Sequence, residues 1–494
     1  EVRCITALAD NSKVGGYPRA MDSPHTPTAA PQPKQAFSAR DRLMLVAAPL
    51  AALVLGGLLL QGEFSREVAI TAGVTVWCAV WWVSEPIPIP ATSLLPLVLL
   101  PTLGVLPSSA VAEAFGSPII LLLMGGFMLS TAMSRSGAHR RLALILIHAV
   151  GADSPRRVVL GFMLAAGLLS MWVSNMATTL MLVPIGLAAL EGVSDRRMRT
   201  GLLLSIAYAA SIGGIGTPIG TPPNLIFMQV YREYTGEAVS FLTWMGWALP
   251  IVVIMLPLAA WWLTRGVSPA QNFQIESPGP WRAEERRVLA IFAVTALCWV
   301  FRTQPFGGFG SWFGIPAVND ASIALTAVLV MFLVPNGRGE RLLDWSTAVA
   351  IPWGILILFS SGLVIAKAFV ATGLSATLGE ALSGLNALPP LLLLLALCAA
   401  VSFLTEVTSN TATATLLMPI LAAAASVGGL PLEFMMVPAV ISASFAFMLP
   451  VATGPNAIVY GAGGIEIRDM VRRGFALNLL GIVVVSVVMA LRLL

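Results

Sequence analysis

Charge is scarce in this chain. Asp, Glu, Lys and Arg make up 11% of its 494 residues, whereas a soluble domain carries about 25%. So few charges cannot cover the surfaces of the several soluble domains that this length would otherwise suggest. Lysine is nearly missing: Lys13, Lys34 and Lys367 stand alone, and arginine supplies all but three of the 28 basic residues. Cysteine occurs four times, at Cys4, Cys78, Cys298 and Cys398, with no CxxC pair. A disulfide scaffold is thereby excluded, and the three cysteines in apolar runs read as small buried hydrophobes. HExxH, GxSxG and Walker patterns are absent, which removes the motifs of an intramembrane hydrolase and of an ATP-driven pump. The net charge of +4 lies in short loops and reads as membrane topology, not as a nucleic-acid surface. What is abundant is apolar. Hydrophobic residues reach 57%, with 44 Gly and 34 Pro, and the mean hydropathy is +0.86. Such a chain is expected to be an all-α polytopic protein of the lipid bilayer, with some spans interrupted by design.

Residues 1–40 are polar and rich in Pro, Thr and Ala, and read as a disordered tail in which Met21 is a candidate start. No apolar stretch precedes residue 43, so no cleavable signal peptide is expected. Apolar runs then follow one another to the end. The run 158–190 holds 33 residues without Asp, Glu, Lys or Arg. That is too long for one span of about 20 residues and too short for two. Arg156 and Arg157 precede it, and Arg196, Arg197 and Arg199 follow it. Basic flanks favour the cytoplasm, so the run is expected to enter and return as a re-entrant hairpin, its tip near Ser174–Thr179. The run 388–427 is expected to be a second hairpin from the opposite side. The remaining runs give about eleven crossings, with the N-terminus cytoplasmic and the C-terminus outside. Twenty basic residues then fall inside, and only Arg66, Arg232, Arg302 and Arg492 outside. An inner, plasma-membrane location is the corresponding expectation.

The chain also resembles itself. Ser174-Asn175 matches Ser409-Asn410 and Pro184 matches Pro419, both at an offset of 235; Thr221-Pro222-Pro223-Asn224 matches Thr453-Gly454-Pro455-Asn456 at 232. Pro101 and Pro335 match at 234. An odd number of crossings between the copies makes this an inverted-topology repeat, a design of secondary transporters. The expected division is a first repeat over 41–265, with hairpin 158–190 and a broken helix over 200–231. A cytoplasmic linker over 266–286 leads to a second repeat over 287–494, with hairpin 388–427 and a broken helix over 432–463. Each copy thus offers a Ser-Asn tip and a Gly/Thr/Pro/Asn break. Broken helices free carbonyls for a cation and expose N-terminal N–H groups to an anion. An oxyanion bound together with a hard cation such as Na+ is the chemistry on offer.

These residues resemble the divalent-anion:sodium symporter family of dicarboxylate, citrate and sulfate transporters. The family's Ser-Asn-Thr signature stands intact at Ser409-Asn410-Thr411, and Thr-Pro-Pro-Asn at 221–224. The chain departs from the pattern twice: Met176 follows the first Ser-Asn, and Gly454 replaces the first Pro of the second break. The resemblance implies one sodium site from Ser170, Ser174 and Asn175 with the backbone of Gly220. It implies another from Thr405 and Asn410 with the backbones of Thr408 and Ala452. Substrate would meet Asn175, Thr221, Ser409, Asn410, Thr411 and Thr453. Met176 removes one hydroxyl from that set, which leaves the preferred anion open. The resemblance also implies a homodimer whose binding domain moves as an elevator. Two charges inside apolar runs, Lys367 and Glu406, are expected to pair with each other or to snorkel, or, in the case of Lys367, to balance substrate charge.

Overall fold

The computed structural model describes residues 38–493 apart from 63, 269–272, 304–306, 316 and 383–387. The tail expected over 1–40 therefore lies outside the described residues except at its end. There Ser38 and Asp41 form a capping box that starts the helix Ala39–Gln61.

Among the described residues all regular structure is helical, with one isolated bridge between Pro335 and Arg341. Seven helices are long and apolar enough to cross a membrane. One of them, Asn410–Gly428, is the returning arm of the second hairpin. Beside them stand the shorter apolar helices Ile89–Thr102 and Asp320–Leu333, the helix Ala283–Val300, and two broken helices, Arg196–Gly214 followed by Pro222–Thr235 and Leu432–Ala443 followed by Gly454–Gly461. With the six remaining long helices these are eleven segments, the number of crossings expected from the charge pattern.

The first hairpin consists of Pro155–Ser170 and Asn175–Ala189, so its turn is 171–174. The tip expected at Ser174–Thr179 is thus displaced. Ser174 accepts from the N–H of Ala177 and caps the returning helix, which draws Asn175 to Thr179 into its first turns. The second hairpin, Pro390–Thr405 and Asn410–Gly428, turns at 406–409.

Arg196–Gly214 lies at the centre. Nearly every residue from Met198 onward is buried, as expected of a helix apolar on all faces. It packs on Pro155–Ser170 so closely that a Cβ on Gly213 would collide with the backbone of Gly167. Without a hydrophobic force between helices in lipid, small residues of this kind set helix approach. A separate apolar cluster joins Val68, Trp82, Leu100, Leu358 and Phe369, tying the helices Arg66–Ser84, Leu94–Thr102 and Trp353–Thr372 together.

Candidate functional site

In the first copy the hairpin tip meets the helix break at 215–221. Ser170 Oγ donates to Asn175 Oδ1 at 2.6 Å across the tip. Thr217 donates its hydroxyl to the carbonyl of Met171, fastening break to tip. Asn224 Nδ2 donates to the carbonyls of Gly214 (3.1 Å) and Thr217 (2.8 Å). A Cβ on Gly214 would lie 2.6 Å from Asn175 Oδ1. One on Gly220 would collide with Gly214 O and lie 3.0 Å from Ser170 O. Asn175, Gly214, Gly220 and Ser170 therefore bring carbonyl and amide oxygens into one small volume, where a hard cation is suited. Ser174 stands at the edge, half-exposed, with its hydroxyl engaged as the cap.

The second copy repeats this frame. Thr405 Oγ1 donates to Asn410 Oδ1 at 2.8 Å and is also 2.8 Å from Ala443 O. Asn456 Nδ2 donates to Ala446 O (2.9 Å) and Leu449 O (3.0 Å). In both copies the hydroxyl stands five residues before its Asn, and the break Asn reaches the carbonyls ten and seven residues before it. Both break asparagines leave a buried Oδ1 without a partner. Around the tip asparagines the hydroxyl, amide and carbonyl oxygens make a set that a sodium ion fits. Thr408 Oγ1 bonds Leu404 O and Thr413 Oγ1. Ala452 is buried at the end of the break. The paired asparagines Asn224 and Asn456 were not among the expected site residues, although both stand in the matched Thr-x-Pro-Asn stretches.

Four helix N-termini carry the expected substrate residues. Ser174 and Thr453 both accept backbone N–H bonds as caps, from Ala177 and Asn456. Thr221 and Ser409 occupy the same positions without using their side chains as caps. Asn175, Asn410 and Thr411 are half-exposed and Thr221 is buried. A cavity of about 630 Å³ reaches Ser174 and Ala177 from the helix Pro118–Ser136, past Ser130, Ser134, Arg135 and Asp344. At its rim Arg135 bridges Asp344 and Glu340. The Ser346 hydroxyl and the Thr347 N–H, then Arg135, hold the Asp344 carboxyl down to about 2. Its folded value is depressed, so its contribution is complete above the ordinary carboxylate range and is lost only as pH falls toward 2.

The two intramembrane charges do not pair with each other. Lys367 Nζ lies 3.1 Å from Glu113, whose side chain is largely exposed. Glu406, the first residue of the second turn, accepts instead from the N–H groups of Phe447 (2.7 Å), Met448 (2.9 Å) and Leu449 (3.0 Å) and from Asn478 Nδ2 (2.7 Å). Backbone donors freed by the second break satisfy the carboxylate, and a lysine partner is unnecessary. No sequence spacing announces this, because the donors lie 41–43 and 72 residues away.

A profile described as "Sodium:sulfate symporter transmembrane region" matches residues 41–492. The chain belongs to this sodium:sulfate symporter family. It is 38% identical over 481 residues to a sodium-dependent dicarboxylate transporter, SdcS, of Staphylococcus aureus strain bovine RF122 / ET3-1, covering 92% of each chain. The SdcS of strain NCTC 8325 / PS 47 is 37% identical over the same span and shares. These relatives are transporters and not enzymes. The crystal structure of the YdaH transporter of Alcanivorax borkumensis aligns with a TM-score of 0.55 at 14% identity, covering 78% of this chain and 88% of that one. It supports the fold.

Proposed function

We propose that this symporter-family chain couples Na+ entry to uptake of a di- or tricarboxylate, succinate-, malate- or fumarate-like, or a similar divalent oxyanion. One observation supports this above the others: two matched frames in which a tip Asn accepts from a hydroxyl five residues before it and a break Asn donates to two freed carbonyls. One sodium ion would occupy the frame of Ser170, Ser174, Asn175 and Gly220. A second would occupy that of Thr405, Thr408, Asn410 and Ala452. The anion would lie between the helix N-termini, meeting Asn175, Thr221, Ser409, Asn410, Thr411 and Thr453, where N–H groups and dipoles favour negative charge. In this reading a homodimeric scaffold stays fixed in the plasma membrane, N-terminus cytoplasmic and C-terminus outside, while the hairpins and breaks move as an elevator.

The test is uptake of labelled succinate, citrate and sulfate into proteoliposomes, with Na+ or choline outside. Sodium-dependent uptake of a carboxylate that weakens in Ser174→Ala and Ser409→Ala is expected. Full uptake in choline would overturn the symport reading.

A further inference from the structure

The two departures from the family pattern touch each other. Met176 stands in the first turn of Asn175–Ala189, and Gly454 opens Gly454–Gly461. A Cβ on Gly454 would lie 2.5 Å from Met176 Cγ and 2.7 Å from its Sδ. Real Cβ atoms do not approach so closely, and a proline ring carries a Cβ. Glycine is not required at 454 by its backbone, since 454 is absent from the positive-φ positions among the described residues. It opens a helix, where proline is ordinarily favoured. Space for Met176 is therefore what the glycine supplies.

The same offsets carry Met176 to Thr411 and Gly454 to Pro222, on the helices Asn410–Gly428 and Pro222–Thr235, which also pack together. The site thus has two seams between the copies. In one, Ser409 and Thr221 keep their hydroxyls out of the caps and Thr411 adds a third. In the other, Ser174 and Thr453 each commit one acceptor lone pair to a cap and keep the hydroxyl proton. There a methionine side chain, 53% exposed, stands in place of the third hydroxyl. A thioether is at best a weak acceptor and donates nothing.

We infer that Met176 and Gly454 are a matched pair that sets substrate preference, giving one seam of the site an apolar side chain where the other carries a third hydroxyl. The pair favours a dianion with a bare hydrocarbon link between its carboxylates over one that carries a hydroxyl or a third carboxylate on that link. This rests on the carboxylate-transport reading above. A polar substituent facing Met176 would lose its water partners and gain none, whereas a methylene would lie in contact with it.

Succinate, malate and citrate uptake in proteoliposomes is the measurement, together with thermal unfolding in detergent. Met176→Thr is expected to shift the kcat/KM ratio toward malate and citrate, relative to succinate, by about fivefold to tenfold, the size of one added hydrogen bond. Met176→Leu, which keeps the apolar bulk, is expected to leave the ratio unchanged. Gly454→Pro, which forces the Met176 side chain aside, is expected to lower the unfolding temperature and weaken uptake, and Met176→Thr combined with Gly454→Pro to restore both. An unchanged ratio in Met176→Thr would overturn the preference. A Gly454→Pro protein as stable and active as the double variant would overturn the pairing. If the wild-type chain moves no carboxylate, the transport reading fails by itself, and the unfolding temperatures of the wild type and the four variants still report on the pair.

Discussion

The two hairpin-and-break units share one hydrogen-bonded skeleton but are fastened by different chemistry. In the first, neutral groups hold the break: the Thr217 hydroxyl on Met171 O, and Trp244 Nε1 on Ile215 O at 2.8 Å. In the second, the position equivalent to Met171 is Glu406, whose carboxylate gathers three successive backbone N–H groups and Asn478. What was kept between the copies is the Asn geometry that would meet the ions. What diverged is the means of closing the freed backbone. A broken helix in a membrane must satisfy its N–H and C=O groups internally, and more than one solution suffices.

The comparison breaks most visibly at Glu406. Glu406→Ala would remove the shared acceptor of three successive N–H groups, of which that of Phe447 is buried and those of Met448 and Leu449 partly buried. Charge-assisted hydrogen bonds contribute about 1.5–3 kcal/mol each, so a loss of ~4 kcal/mol or more and no detectable uptake are expected. Glu406→Gln keeps one oxygen acceptor and should fall between. The same truncation at Met171 removes no side-chain bond to the break, so Met171→Ala should cost only the packing of a largely buried thioether, about 2–4 kcal/mol. Thermal unfolding of the three variants beside the wild type decides it. Equal losses at Glu406→Ala and Glu406→Gln would show that the carboxylate charge, and not its count of acceptors, holds the break.

A sharper test of what the copies share is Asn224→Ala against Asn456→Ala. Each deletes two bonds to carbonyls from a fully buried amide, for which about 1–3 kcal/mol is expected. If the frames are equivalent, the two losses agree within about 1 kcal/mol, and both variants need more Na+ for half-maximal uptake. A loss confined to one copy would show that only one frame shapes an ion site.

Ser170→Ala and Thr405→Val probe the tips more gently. Each removes one hydroxyl donor to the tip Asn, and a roughly fivefold rise in the Na+ concentration for half-maximal uptake is expected, the equivalent of about 1 kcal/mol. Thr405 also bonds Ala443 O, so its variant should show the larger fall in unfolding temperature. Titrating uptake with Na+ in each variant separates ion affinity from stability.

Much of this was legible in the sequence because membrane insertion writes itself into composition. The charge-free 158–190 and its arginine flanks announced a hairpin, and the paired Ser-Asn and Pro-Asn stretches announced two copies. The turn itself was misplaced by a few residues, since a cap at Ser174 lengthens the returning helix and hydropathy does not register caps. The partner of Glu406 was hidden for a different reason. Its donors are backbone N–H groups, which every residue carries, so nothing in side-chain identity at Phe447, Met448 or Leu449 distinguishes them. Lys367 and Glu406 looked like partners because both are charges in apolar runs, yet the fold places Glu113 beside Lys367.

The smallest effect is expected at Lys367. Lys367 joins two separate elements, Trp353–Thr372 and Ser108–Phe115, through one ion pair with a side chain that is 70% exposed. Surface pairs contribute about 0–1 kcal/mol because water screens them and side-chain entropy opposes them. Both elements are already joined by the apolar cluster of Leu363, Val364, Ala368 and Ala114. Lys367→Ala should therefore leave the unfolding temperature, the half-maximal Na+ concentration and the carboxylate KM near wild type. Uptake kinetics at several ionic strengths measure this directly. A carboxylate KM raised tenfold would return Lys367 to the anion's path and would mean that the exposed pair with Glu113 is only one of its positions.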